Sequence, residues 1–82
     1  MKENVIKDKS FVFAVKIVQL CKYLIINKKE YILSKQLLRS GTAIGALVRE
    51  SEYAESRADF IHKLSISIKE TNESIYWLEL LK

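Results

Sequence analysis

Apolar residues recur at helical spacing in three blocks, and the intervals between blocks are short and polar. In the first block Ala14, Ile17, Val18, Cys21, Leu24 and Ile25 form one stripe. Ser10 is the expected N-cap, so the pattern predicts a helix over about 10–27. Phe13 and Leu20 widen the stripe on one side and Phe11 and Val15 on the other, leaving Lys16, Gln19, Lys22 and Tyr23 as the polar edge. A helix this apolar around its circumference calls for cover on more than one side.

Asn27-Lys28-Lys29-Glu30 has the length of a turn between antiparallel neighbours. The second block predicts a helix over 31–53, with Leu33, Leu37, Gly41, Ile44 and Val48 on one face. Gly41 and Gly45 lie in its interior and should each cost about 1 kcal/mol relative to alanine. Close approach of two helix backbones is the expected compensation, because small residues four apart permit it. A break of the helix at Gly41 is the alternative. The third block, 56–81, opens with Ser56-Arg57-Ala58-Asp59, a capping box. Phe60, Leu64, Ser67, Thr71, Ile75 and Leu78 trace its expected core side, extended by Ile61, Ile68 and Trp77. The pattern stops in mid-helix at Leu81-Lys82, which points to a missing downstream element or to completion by another chain.

Composition agrees with an all-α fold: an antiparallel up-down bundle with three long helices, in one domain over 1–82. The 82 residues are 49% hydrophobic and 29% charged, with no proline and two glycines, too few turn formers for a sandwich or barrel. A chain of this size buries only about 60–65% of its unfolded surface, so its core is thin. One cysteine excludes an internal disulfide framework and a four-thiolate metal site. Phe11–Ile26 resembles a signal-peptide core, but Lys16, Gln19 and Lys22 interrupt it and no small-residue cleavage site follows. The segment reads as too short and too charged to span a bilayer. No membrane partner is expected, and the protein is expected to be cytoplasmic with Cys21 reduced.

Charge is unevenly spread. Residues 1–39 carry nine Lys/Arg against three acids, and residues 40–82 carry five against seven. An anionic partner should prefer the first half. Lys22, Lys28, Lys29, Lys35 and Arg39 gather around the first turn as candidate phosphate contacts; on a monomer the plain reading is a solvated face. Repeated by symmetry, the cluster would make a salt-sensitive site for RNA or DNA.

The chemistry-bearing patterns are sparse. Asp59-Phe60-Ile61-His62 has the spacing of a carboxylate-bundle metal motif, but such a site needs two copies plus inward glutamates, and His62 is the only histidine. No metal or cofactor is expected. Cys21 lies among apolar residues, no serine has a nucleophile elbow, and Glu50, Glu52 and Glu55 read as a solvated turn. No catalytic residue is assigned and no enzyme is expected. Gly41, Gly45, Phe13, Leu20 and Trp77 are the expected helix-packing or subunit-interface positions, with Tyr76 beside Trp77.

Longer motifs carry a resemblance. Gln36-Leu37-Leu38-Arg39-Ser40-Gly41-Thr42-Ala43-Ile44-Gly45-Ala46 resembles the second-helix signature of bacterial four-helix bundle proteins encoded in intervening sequences of 23S ribosomal RNA genes, the S23-like family. The stretch from Glu52 to Ile66 is similar to the start of that family's third helix, and Lys69-Glu70, Asn72-Glu73 and Tyr76 to Leu81 resemble its end. The resemblance implies an antiparallel bundle assembling as a ring, typically a homopentamer. Relatives include a basic accessory protein of diversity-generating retroelements that binds nucleic acid and partners a reverse transcriptase, while most members have no established activity. Leu47 stands where the family usually has asparagine, and Ser67 and Thr71 where alanines are common. The family's fourth helix would follow Lys82, and its absence leaves an apolar groove. The expectation is a homo-oligomeric, non-enzymatic scaffold that binds RNA or DNA. A protein-interaction module taking a partner helix into the groove is the alternative.

Overall fold

In the computed structural model, which describes residues 5–82, the chain folds into three long helices, α1 (Val5–Lys28), α2 (Leu33–Ser51) and α3 (Arg57–Leu80). They run up, down and up, in a body of 43 × 23 × 17 Å. The middle helix packs against both others, whereas no α1 Cα lies within 8 Å of an α3 Cα. The bundle is therefore open along one side.

The first helix begins earlier than expected. Ser10 is no N-cap but a buried interior residue, its hydroxyl donating to the Lys7 carbonyl at 3.0 Å. A small residue is required there because Ser10 faces Gly45 across the α1–α2 contact. The full 24-residue helix is long and apolar enough to cross a bilayer by length and composition, which corrects the expectation of a segment too short for that. Ser10, Ile17 and Cys21 along it are buried.

The second helix is two residues shorter than expected at each end and runs unbroken through Gly41 and Gly45. A Cβ at Gly41 would lie 2.9 Å from Ile17 Cγ2, and one at Gly45 would lie 3.4 Å from the Ser10 carbonyl oxygen. Glycine at 41 is thus what lets α1 and α2 approach this closely, offsetting its helix-propensity cost. Ile17, Cys21 and Leu37 form the core, with Phe13, Leu20, Trp77, Leu78 and Leu81 half-buried against it.

The third helix starts as its capping box predicts. The Ser56 hydroxyl accepts from the Asp59 amide at 3.0 Å, and the Asp59 carboxylate accepts from the Glu55 amide at 3.1 Å. Its buried face matches the expected one only in part: Ser67 is buried, Leu64, Trp77 and Leu78 are half-buried, and Ile61 and Ile68 are exposed. Phe60, Thr71 and Ile75 are exposed, and the buried positions are Ser67 and Ser74. Small side chains line this seam: the Ser40 and Ser74 hydroxyls hydrogen-bond at 2.9 Å, and Ser67 donates to the Ile44 carbonyl at 3.4 Å. The open side holds a groove of about 290 Å3 bounded by Ile6, Lys9, Ser10, Phe13, Ile44 and Thr71.

Candidate nucleic-acid interface

The alternating helix directions bring the end of α1, the start of α2 and the end of α3 to one end of the protein. The turn there is built around an unusual backbone. Lys29 adopts φ 57°, in the left-handed region, and the Glu30 amide donates back to the Leu24 carbonyl at 3.0 Å. Lys28, in the last turn of α1, complements the negative end of that helix dipole.

Glu30 is the one acid in this turn, and α2 uses it as a cap. Its carboxylate accepts from the amides of Ile32, Leu33 and Ser34 at 3.2, 2.9 and 2.7 Å. Its carbonyl accepts from the Ser34 hydroxyl at 2.7 Å. These bonds, led by that from Leu33, hold the carboxyl below its ordinary range. The negative charge is thereby turned inward onto the helix start, while Lys22, Lys28, Lys29 and Lys35 are exposed around it.

Arg39 does not join these lysines as a free cation. It pairs with Glu70 at 3.4 Å and with Glu73 across the α2–α3 seam. Glu73 also accepts from the Trp77 indole at 2.9 Å, tying the ring to the same cluster. The pairing is legible afterwards, since Glu70 and Glu73 sit one turn apart, but their partner lies on another helix.

The remaining site positions are packing elements. Phe13 and Leu20 are half-buried on the groove side of α1, and Trp77 meets Tyr76 edge-on with ring centroids 5.1 Å apart. Elsewhere, His62 is exposed and Asp59 pairs with Lys63 at 3.6 Å, beyond its capping bond. Cys21 is buried with its thiol donating to the Ser34 carbonyl at 3.3 Å. Burial, and secondarily the Glu30 charge, push that thiol above its ordinary pKa, so the nucleophilic thiolate is disfavoured. Periodicity placed Ser67 on the core side but gave no hint of the buried Ser10, Ser34, Ser40, Ser51 and Ser74, because hydroxyls score as polar, nor of the Glu30 cap, which lies outside the helix.

These features define an all-α helical-bundle protein with one side open. The chain belongs to the 23S rRNA-intervening sequence protein family, whose model matches residues 2–82. It is also similar to a solved protein of unknown function from the S23 ribosomal protein family of Bacteroides thetaiotaomicron. The two are 64% identical, with a TM-score of 0.93 over 94% of this chain and 71% of that one. No curated protein matches the chain.

Proposed function

We propose that the chain is a non-enzymatic, cytoplasmic scaffold that self-associates and presents the lysine-rich end of α1 and α2 to RNA or DNA. The observation that carries this reading is the imbalance between buried and exposed apolar residues. Among the described residues only Ile17, Cys21, Leu37 and Val48 are buried hydrophobics, against eighteen exposed large ones. Single exposed apolar side chains are ordinary, but contiguous ones along α1 and α3 mark interaction surfaces. Association gathers the basic ends, and a closed ring, a pentamer by family resemblance, would sum their fields. Lys22, Lys28, Lys29 and Lys35 supply the phosphate contacts, with Arg39 held back in its ion pairs.

A second reading has its own support. The groove on the open side is lined by the apolar Ile6, Phe13 and Ile44, and it could take the apolar side chains of a partner's amphipathic helix. Light scattering coupled to gel filtration, with titration of a labelled single-stranded RNA at several salt concentrations, tests both. The scaffold reading expects an assembled mass, and a log-affinity that falls with log salt by about 0.7 per phosphate contacted. Replacing Lys28, Lys29 and Lys35 by glutamate should abolish binding. A monomer at micromolar concentration, or binding indifferent to salt and to these changes, overturns it.

A further inference from the structure

The lysine-rich turn presents apolar side chains as well as charge. Ile26 is exposed in the last turn of α1, and beyond Lys28 and Lys29 come Tyr31, 57% exposed, and Ile32, 77% exposed. Tyr23, exposed beside Lys22, lies about 7–8 Å below Lys28 along the helix axis. The rings of Tyr31 and Tyr23 have no aromatic, cationic or hydrogen-bond partner among the described residues. The turn that carries them is nonetheless fixed. Glu30 ties three amides at the start of α2 to its carboxylate, and its own amide returns to the Leu24 carbonyl. A turn held this firmly, with its largest apolar side chains left in water, is a preorganised contact surface.

We infer that this end of the protein takes single-stranded nucleic acid, with a base stacked on the Tyr31 ring and the flanking phosphates on Lys28 and Lys29. The inference rests on the nucleic-acid reading proposed above and names its substrate class. A duplex turns its phosphates outward and keeps its bases stacked inside, so against it Tyr31 and Ile32 would desolvate anions and gain no apolar partner. A free strand offers unstacked base faces between its phosphates, which suits a turn where lysines and apolar side chains are interleaved. An anionic lipid surface has matching charge, but burying Ile26, Tyr31 and Ile32 in it would also draw the non-helical backbone of residues 29–31 out of water. The amides at the start of α2 offer no rival phosphate site, because the Glu30 carboxylate occupies them. All four tyrosines are exposed, and their surroundings separate them. Tyr53 lies between Glu52 and Glu55, and Tyr76 lies three residues from both Glu73 and Glu79, edge-on to Trp77. Arg39 brings no free positive charge to Tyr76, being paired with Glu70 and Glu73. Only Tyr31 and Tyr23 stand among unpaired lysines, and Tyr31 stands in the turn itself.

The test titrates the full chain with three labelled probes of about 15 nucleotides: single-stranded oligothymidylate, a strand of equal length whose sugars carry no bases, and a DNA duplex. Wild type should bind oligothymidylate at least about five-fold more tightly than the strand without bases, the smallest effect expected of one stacked base. Tyr31→Ala should weaken oligothymidylate binding by about five-fold or more and leave the other two probes unaffected. Its salt dependence should match that of wild type, since no phosphate contact is lost. Tyr31→Phe should bind as wild type does, and far-UV circular dichroism should be the same for all three proteins. A strand without bases bound as tightly as oligothymidylate overturns the inference, as does a Tyr31→Ala effect that is absent or equal for every probe. Vesicles of phosphatidylserine and phosphatidylcholine are titrated in parallel. Vesicle binding that Tyr31→Ala abolishes, with oligothymidylate binding intact, overturns the inference in favour of a lipid surface. A wild-type chain that binds none of the nucleic acids removes the nucleic-acid reading itself and this inference with it, a result distinct from the others.

Discussion

Alanine at the two glycines of α2 should have opposite consequences although the substitutions are chemically identical and four residues apart. In an isolated helix each would add about 1 kcal/mol of stability through helix propensity. At Gly45 the new methyl meets only the Ser10 backbone and hydroxyl at 3.4–3.6 Å, ordinary contact distances, so most of that gain should survive. At Gly41 it would stand 2.9 and 3.0 Å from the two Cγ atoms of Ile17. Ile17 is buried and β-branched, so its side chain has no free rotamer to move into. The helices must separate instead, an overpacking cost of about 1–3 kcal/mol that exceeds the propensity gain. Gly41→Ala should therefore be destabilising and Gly45→Ala neutral to stabilising, with a difference of about 2 kcal/mol between them. For a domain of this size that corresponds to roughly 10 °C in melting temperature.

Urea denaturation followed by circular dichroism, at one fixed protein concentration, reads the difference, because any association adds a concentration-dependent term. A third measurement isolates the cause. In an Ile17→Ala background the methyl at position 41 has space to occupy, so Gly41→Ala should become neutral or stabilising there. If Gly41→Ala is equally harmful in both backgrounds, or if the two glycines respond alike, close packing of α1 on α2 is not what holds glycine at 41.

Two further predictions concern the basic turn. The folded-state carboxyl of Glu30 titrates below its ordinary value, so the stabilisation it brings is present above the unfolded-state pKa and is lost as pH falls through the folded one. Wild type should lose stability more steeply than Glu30→Gln on acidification from about pH 5 downward, past the ordinary glutamate value, and parallel curves would contradict the cap. Lys29→Gly should raise the unfolding free energy read by urea denaturation, by about 0.5–1 kcal/mol, by relieving the left-handed backbone at φ 57°. The same substitution should make the salt dependence of RNA affinity shallower by about 0.7, the share of one phosphate contact; an unchanged slope would remove Lys29 from the interface.

The helices were legible in the sequence because their signal is local. The capping box at Ser56 located the start of α3 at once, since donor and acceptor lie three residues apart. Ser10 misled for the same reason that Ser56 informed: a serine before an apolar run signals a cap only when the preceding residues are not helical. The face of α3 could be read only in part: helical spacing placed Leu64, Ser67 and Leu78 on it, but not Ser74, and it added the exposed Phe60 and Ile75. Ser67 and Ser74 are buried because α2 comes close to them, and that proximity depends on the tertiary arrangement rather than on periodicity. The lysine cluster was visible as composition, but Arg39 was grouped with it only because Glu70 and Glu73 are more than thirty residues away along the chain.

The serine-lined seam and the exposed isoleucines of α3 have a common physical origin. A helix that approaches its neighbour through serines gains closeness and hydrogen bonds but removes little apolar area from water, so its burial must come from its other faces. In α3 those faces carry Phe60, Ile61, Ile68 and Ile75, all exposed in a single copy. In α1 the contact with α2 combines Ile17 and Cys21 with the small Ser10, Gly41 and Gly45, and leaves Phe11 and Ile25 outside. Few large apolar residues inside and many outside is the inverse of a self-sufficient core. Such a distribution is economical only when the outer faces are themselves covered, and this is the physical argument for association that rests on the fold alone.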